Sequence, residues 1–265
     1  MSIKRTLAAA FILGSLLLPS TVSAQFNWPY KVTNGKAVTE VPVRAAGQES
    51  ALNMTTPKLK VVRVAFVGLG MRGHDAVERW THIPGIQVMA LCDYERDRAE
   101  RCQEYLRKAS MPAADIYSGE DGYKELCKRK DIDLVYIAPD WKHHFLVAYE
   151  AMNNGKHVAV EVPAAMNLTE IWKLIDISEK KRLHCMMLEN AVYDRFEMAV
   201  CQMVREGLLG ELVHVEGGYA HPIGDRWTPW RMEYSRLNAG DVYPTHSIGP
   251  VCRLLDIHRT DRMHY

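Results

Sequence analysis

The chain has 265 residues, 48% of them hydrophobic, and carries 33 Lys+Arg against 32 Asp+Glu. That length and apolar content allow a substantial core and about two domains. The even charge balance argues against a broad basic surface for nucleic acid or an anionic membrane.

Residues 1–24 read as a signal peptide. Lys4 and Arg5 form a basic start, Leu7 to Leu18 an apolar run, and Val22-Ser23-Ala24 a small-residue cleavage pattern before Gln25. The run is 12 residues long, short of the roughly 20 that span a bilayer as a helix. Export, periplasmic or secreted, is expected, without stable membrane insertion; an uncleaved anchor is the competing reading. Residues 25–60, rich in Thr, Asn, Pro, Gly and Ala without sustained periodicity, read as a tether or loosely packed leader.

From Val61 the pattern changes. Val61–Val67 predicts a buried parallel strand ending at Gly68, followed by a helix from Met71 to about Thr81. Ile86–Cys92, closed by Asp93, is the next strand. Helices over Arg96–Lys108 and Gly122–Lys130 precede a strand at Leu134–Ala138. A helix over His143–Asn153 stops at Gly155, a suitable C-terminal glycine. His157–Val160 is a strand, Leu168–Lys181 a helix and Leu183–Leu188 a further strand. Strands separated by helices of this size indicate right-handed crossovers and a doubly wound parallel α/β sheet over residues 61–190.

After Asn190 the character shifts, and residues 191–265 read as the start of an α+β substrate domain. Arg195–Glu206 predicts a helix and Glu211–Tyr219 a strand. Ala220–Gly240 predicts a long loop dense in Trp, Arg and Pro, which in a compact domain signals function. One strand and one helix cannot close a core, so this domain reads as truncated and the chain as a fragment without activity of its own. Whether it forms a homo-oligomer is left open.

Six cysteines, at positions 92, 102, 127, 185, 201 and 252, lack any zinc-ligand spacing, and buried free thiols are the expected state. His143 and His144 are adjacent and have no partner ligand at a helical interval, so no metal is expected.

Gly68-Leu69-Gly70-Met71-Arg72-Gly73 fits G-x-G-x-x-G between a predicted strand and helix, with Asp93 standing 20 residues past Gly73. Gly68 permits the tight turn, Gly70 the approach of a pyrophosphate, and Gly73 close packing of helix on strand. The helix start offers free N–H groups to phosphate, and Arg72 is placed to help. A carboxylate at Asp93 accepts from both ribose hydroxyls and repels a 2′-phosphate, which favours NAD over NADP.

The segments Asp133–Pro139, His144, Ala151–Val158 and Glu161-Val162-Pro163 resemble the glucose–fructose oxidoreductase and inositol dehydrogenase group. That group carries Glu-Lys-Pro where this chain has Val162, so its usual hydride-transfer lysine is missing. Met71-Arg72-Gly73, Trp141-Lys142-His143-His144, Glu161–Ala165, Leu188-Glu189-Asn190 and Asn238–His246 together resemble glycoside hydrolase family 109. The resemblance implies an α-N-acetylgalactosaminidase with tightly held NAD. By it, Met71, Arg72, Asp93, Trp141, Lys142, His143, His144, Glu161, Val162 and Asn190 line the NAD site. By it too, Tyr193, Tyr219, Arg231, Tyr243, Pro244, Thr245 and His246 face the sugar. Its members are longer than this chain.

NAD in a hydrolase serves a route of oxidation at C3, elimination across C1–C2, addition of water and re-reduction, with no net redox change. Such a route needs bases and ring anchors rather than the opposed carboxylates of ordinary glycosidases. His246 is the first choice for proton transfer, since histidine titrates near neutrality. Tyr193, Tyr243 and Glu161 are the other candidates for moving protons, and Arg231 anchors acetamido or hydroxyl oxygens. Trp227 and Trp230 either stack on a sugar face or pack the loop. The leading reading is an exported glycosidase acting on terminal α-linked N-acetylgalactosamine. The alternatives are an NAD-dependent sugar or polyol dehydrogenase and a non-catalytic sugar- or nucleotide-binding protein.

Overall fold

The computed structural model describes residues 30–39, 41–220, 227–237 and 243–257. The signal-peptide and cleavage readings, and the Asn238–Val242 part of the long motif, lie outside them.

The expected leader, largely exposed over residues 31–60, carries local structure of its own. Strands β1 (Tyr30–Thr33) and β2 (Lys36–Thr39) pair antiparallel in register Thr33↔Lys36. Asn34 and Gly35 between them have φ of 52° and 76°. Positive φ at both central residues is the type I′ geometry that matches strand twist, and Asn-Gly adopts it at least cost. The stretch that follows is also fastened. Arg44 donates through Nε and Nη2 to both carboxylate oxygens of Glu179, each at 2.8 Å, while Gln48 and the Ala51 N–H donate to the same carboxylate.

The main body alternates as its periodicity predicts. In chain order it runs β3 (Val62–Val67), α1 (Met71–Thr81), β4 (Ile86–Asp93), α2 (Arg96–Lys108), β5 (Asp115–Ser118) and α3 (Gly122–Lys128). It continues through β6 (Leu134–Ile137), α4 (Trp141–Asn153), β7 (His157–Val160), α5 (Leu168–Lys181) and β8 (Cys185–Met187). All six main strands pair in parallel, in the order β5-β4-β3-β6-β7-β8. Strand β5 is absent from the sequence expectation: it is an edge strand with no fully buried residue, so it carries no apolar run.

Successive side chains of a strand face opposite sides, and both sides are covered here. Val64, Phe66, Val88 and Leu91 pack under α1 and α2 with Ala76, Val77 and Leu106. Ala65, Val67, Val135, Ile137 and Val160 pack under α3 to α5 with Leu126, Ala148 and Leu174. Caps set the helix starts. Asp140 accepts the Lys142 N–H, so α4 opens at Trp141, two residues before the expected His143; Asn167 accepts the Glu170 N–H and fixes α5. Four of the six thiols are buried and all six are free. Burial raises Cys92 to about 12, which keeps it protonated.

Beyond β8 a single 3₁₀ turn (Ala191–Tyr193) leads into α6 (Arg195–Arg205). Residues 211–219, expected as a strand, are not in a strand among the described residues; a β-ladder needs a partner backbone as well as a suitable sequence. Part of the expected loop is helical instead, as α7 (Pro229–Leu237), and α8 (Pro244–Leu254) follows. Both helices open on proline, whose fixed φ suits the first helical position. No described helix is long and apolar enough to cross a membrane.

Candidate functional site

The order of the sheet reverses between β3 and β6, the place where ligands bind in open α/β sheets. The chain leaves β3 at Gly68 with φ of +86°, and the Gly68 N–H donates to the Cys92 carbonyl at 2.9 Å. A β-carbon on Gly73 would stand 1.8 Å from the Gly68 carbonyl oxygen, so only glycine lets α1 meet the turn. Gly70 is different: nothing lies within 4 Å of its would-be β-carbon. As N-cap of α1 it brings no side-chain hydrogen bond, and the first turn holds no acidic residue. The leading N–H groups therefore face open space, as an anion site requires.

Asp93 ends β4 beside this turn and is 5% exposed. Its Oδ2 accepts the Leu69 N–H at 2.6 Å, and Oδ1 accepts the Glu95 N–H at 3.0 Å and Arg98 Nη1 at 3.3 Å. The carboxylate is thus locked to the glycine turn. A cleft of about 980 Å³ opens there, between the turn, Asp93, Arg98 and Arg101 on one side and Pro139, His143 and residues 228–231 on the other. Its volume lies at the upper end of the small-molecule range of about 300–1,000 Å³. The residues fit a dinucleotide: an open cradle at Gly70 for the pyrophosphate, an anchored carboxylate for a ribose, and Thr228 Oγ1 buried in the wall without a partner among the described residues.

Behind the cleft, Glu161 follows β7. Its Oε1 accepts Arg72 Nε at 3.0 Å and the Tyr136 hydroxyl at 2.5 Å. Arg72 is therefore tied across the switch point while still lining the cleft. Val162 is buried, and the Val162–Pro163 peptide is cis. His144 is 1% exposed, with Nδ1 at 2.7 Å from the Pro163 carbonyl oxygen. Burial pushes its pKa down against the pull of the Pro163 and Pro139 carbonyls, so it is a neutral buttress of this segment.

Next to the cleft, α4, α7 and α8 bring an aromatic cluster together. Trp141 is met edgewise by Trp230, Tyr234 and Tyr243, with ring centroids 5.0, 5.2 and 5.4 Å away. Tyr243 stacks on His246 at 5.0 Å and 8°, and Tyr219 meets His246 edge-on at 4.6 Å. Arg231 lies over the Trp230 ring at 4.8 Å. Burial raises the Tyr243 pKa, with Arg231 pulling the other way, so at neutral pH the phenol holds its proton. His246 Nδ1 lies 2.5 Å from Glu189 Oε1.

The expected residues thus fall into groups. Gly68, Gly70, Met71, Arg72, Asp93 and His143 line the cleft. Gly73, Trp141, His144 and Val162 are buried around it, while Lys142 and Asn190 are exposed. Tyr219, Arg231, Tyr243 and His246 share the cluster, with Pro244 and Thr245 opening α8 beside them. Tyr193 is 55% exposed, with the Arg253 guanidinium 5.3 Å from its ring. Trp227 and Trp230 pack against Tyr243 and Trp141. Sequence reasoning passed over Glu189, Arg98 and Arg101 as site residues. The two arginines were signalled by their i, i+3 spacing on the helix after Asp93, and Glu189 by its place just past a strand's C-terminal end. No group of three or more His, Cys, Asp or Glu able to hold a metal occurs among the described residues.

Comparison with known proteins finds two family models that match successive parts of the chain. Residues 62–189 match the model of an oxidoreductase family with an NAD-binding Rossmann fold, and residues 193–227 and 224–265 match a glycosyl hydrolase 109 C-terminal domain. The chain is 52% identical to glycosyl hydrolase family 109 protein 5 of Phocaeicola vulgatus, over 98% of its own length and 53% of that protein. It is 58% identical to glycosyl hydrolase family 109 protein 1 of Bacteroides fragilis, over 86% of its length and 50% of that protein. The chain spans about half the length of the curated relatives it matches. Among solved structures, myo-inositol 2-dehydrogenase of Lactobacillus plantarum superposes with a TM-score of 0.60 at 19% identity, covering 74% of this chain and 56% of that one. Myo-inositol dehydrogenase of Lactobacillus casei, in complex with NAD(H) and myo-inositol, gives 0.58 at 22%, covering 74% and 55%. Both likenesses concern the fold.

Proposed function

Since this chain belongs to glycosyl hydrolase family 109 and carries that family's NAD-binding Rossmann fold, we propose that the protein is an exported glycosidase. Its proposed substrate is a terminal α-linked N-acetylgalactosamine, released without net redox change. The observation that carries the reading is the sharing of one wall: Trp230 and Arg231 line the dinucleotide cleft, Trp230 meets Trp141 edge-on, and Trp141 in turn meets Tyr243. A sugar seated on that cluster lies beside the reactive end of the cleft.

Bound NAD supplies reversible oxidation at C3, which acidifies the neighbouring C2–H. The chain's residues supply the rest. Gly70 and the start of α1 receive the pyrophosphate, and Asp93 the adenosine ribose. Glu161, bridged to Arg72 and Tyr136, orients groups at the nicotinamide end. His246 takes a proton at its free ring nitrogen, and Tyr243, kept protonated by burial, donates to a ring oxygen. Arg231 anchors an acetamido or hydroxyl oxygen, and the cluster excludes water around these groups. Tyr219 and Thr245 supply further sugar contacts, with Tyr193 at the outer rim.

The full-length protein is incubated with an aryl α-N-acetylgalactosaminide while released phenol and free NADH are followed by absorbance. Phenol without accumulating NADH, and deuterium at C2 of the sugar when the solvent is deuterated, is the expected result. NADH rising with the glycoside intact points to a dehydrogenase, and silence in both channels to a binding protein; either overturns the proposal.

A further inference from the structure

Glu189 is a buried carboxylate with one half of its function visible. Its Oε1 accepts the Ala191 N–H at 3.0 Å and lies 2.5 Å from His246 Nδ1. Its Oε2 is buried with no partner among the described residues. Placing a carboxylate in a nearly dry position with an oxygen unsatisfied costs stability. Packing alone offers no return for that cost, because a leucine or methionine would fill the same volume without the penalty.

The backbone is built to bring the two side chains together. Glu189 stands just past β8, its own N–H bonded to the Met187 carbonyl at 3.0 Å, so it is fixed to the rigid edge of the sheet. His246 stands in the first turn of α8, and glycines let that helix come close. A β-carbon on Gly249 would fall 2.7 Å from Val192 Cγ2 and 3.5 Å from Glu189 Cγ, and one on Gly217 would fall 2.8 Å from the Ser247 carbonyl oxygen. The imidazole is then held on three sides, by Tyr243 stacked on one face, Tyr219 at the other contact, and Glu189 at Nδ1. Only Nε2 has no assigned neighbour in that set.

We propose that Glu189 is the positioning residue of His246: it holds the Nδ1–H tautomer, which makes Nε2 the basic atom, and stabilises the imidazolium formed when Nε2 takes a proton. A carboxylate on the far nitrogen of a histidine has this double effect wherever histidine serves as a base. The role in turnover rests on the glycosidase reading above; the tautomer does not. In this role Glu189 acts through His246.

The test uses the full-length protein labelled with ¹⁵N-histidine, with His246→Gln to assign the ring signals. The expected spectrum shows His246 protonated at Nδ1 when neutral, and in Glu189→Ala that preference is lost. A wild-type His246 protonated at Nε2 overturns the proposal, whatever the enzyme hydrolyses. Kinetics give the second arm. Glu189→Ala is expected to lower kcat about 100-fold with KM and NAD affinity changed less than threefold. Glu189→Gln keeps an acceptor oxygen for Nδ1–H and is expected to recover about tenfold of that loss. Bound NAD in each variant reports that the fold is intact. Equal kcat in wild type and both variants overturns the positioning role, whereas a wild type that releases no phenol overturns the glycosidase reading and leaves the tautomer result standing.

Discussion

Gly68 lies so close beneath Pro139 that a β-carbon added to it would stand 2.2 Å from the proline nitrogen. The turn after β3 and the turn after β6 are in backbone contact, and φ of +86° at Gly68 compounds the restriction. Gly68→Ala is expected to destabilise the protein by about 3 kcal/mol, from positive φ and backbone displacement together. Thermal or urea unfolding reads this directly, and a variant as stable as wild type would show that the two turns can part freely.

Gly70 makes the complementary case. Its β-carbon position is open and its φ of −69° suits any residue. Gly70→Ala should therefore unfold at the wild-type temperature and yet bind NAD about tenfold more weakly, a loss of about 1.4 kcal/mol, because the methyl occupies the phosphate's approach. Calorimetric titration with NAD measures it; unchanged affinity would remove the pyrophosphate from this turn.

Asp93 has two duties that one substitution should expose together. Its carboxylate braces the Leu69 N–H from a nearly buried position as well as facing the cleft. Asp93→Ala leaves that amide unpaired, at a cost of about 1–3 kcal/mol, and removes the repulsion of a 2′-phosphate while Arg98 and Arg101 remain. The ratio of NAD to NADP affinity should fall by tenfold or more. A variant that loses stability but keeps the ratio would confine Asp93 to bracing.

The clasp on α5 should open in acid. Glu179 is 3% exposed, and its pKa is lowered to about 2 by the Arg44 hydrogen bonds first, then by Gln48 and the Ala51 N–H, with burial opposing. A carboxyl with a depressed folded pKa contributes stability above its ordinary value near 4.5 and loses it as pH falls toward 2. Amide exchange at Ala51, corrected for intrinsic rate, should be protected at pH 6 and lose protection between pH 4 and 2. Glu179→Gln should weaken it at neutral pH, and protection that ignores pH would mean that the segment is held by something else.

How much of this was legible in the sequence depended on whether the signal was local. Helices α1, α2 and α5 agree with the expected bounds, because apolar periodicity and end residues mark them within one stretch of chain. The glycine turn and Asp93 were legible for the same reason. Strand β5 was not, since an edge strand with half-exposed side chains has no pattern to show. The Asn34-Gly35 hairpin did carry its turn signal, but lay in a stretch read by composition alone. Residues 211–219 were read as a strand and form none among the described residues, since a ladder depends on a second backbone that no local pattern reveals. Glu189 and His246 are 57 positions apart, so their meeting follows only from how α8 packs on the sheet edge. Tyr193 was placed on the sugar side by resemblance and among the proton-handling groups by its phenol, and its position beside Arg253 is set by the same packing.

Trp230 and Arg231 belong at once to the cofactor cleft and to the ring cluster around Trp141. Free-energy linkage across such a shared pair is reciprocal. An occupant that steadies α7 from the Tyr243 side lengthens the residence of a nucleotide on the other, and a nucleotide in place sharpens the pocket its neighbour must enter. For the exported glycosidase proposed above, which would have no intracellular pool from which to replace a lost coenzyme, this one helix would bear on how long a single coenzyme molecule is kept.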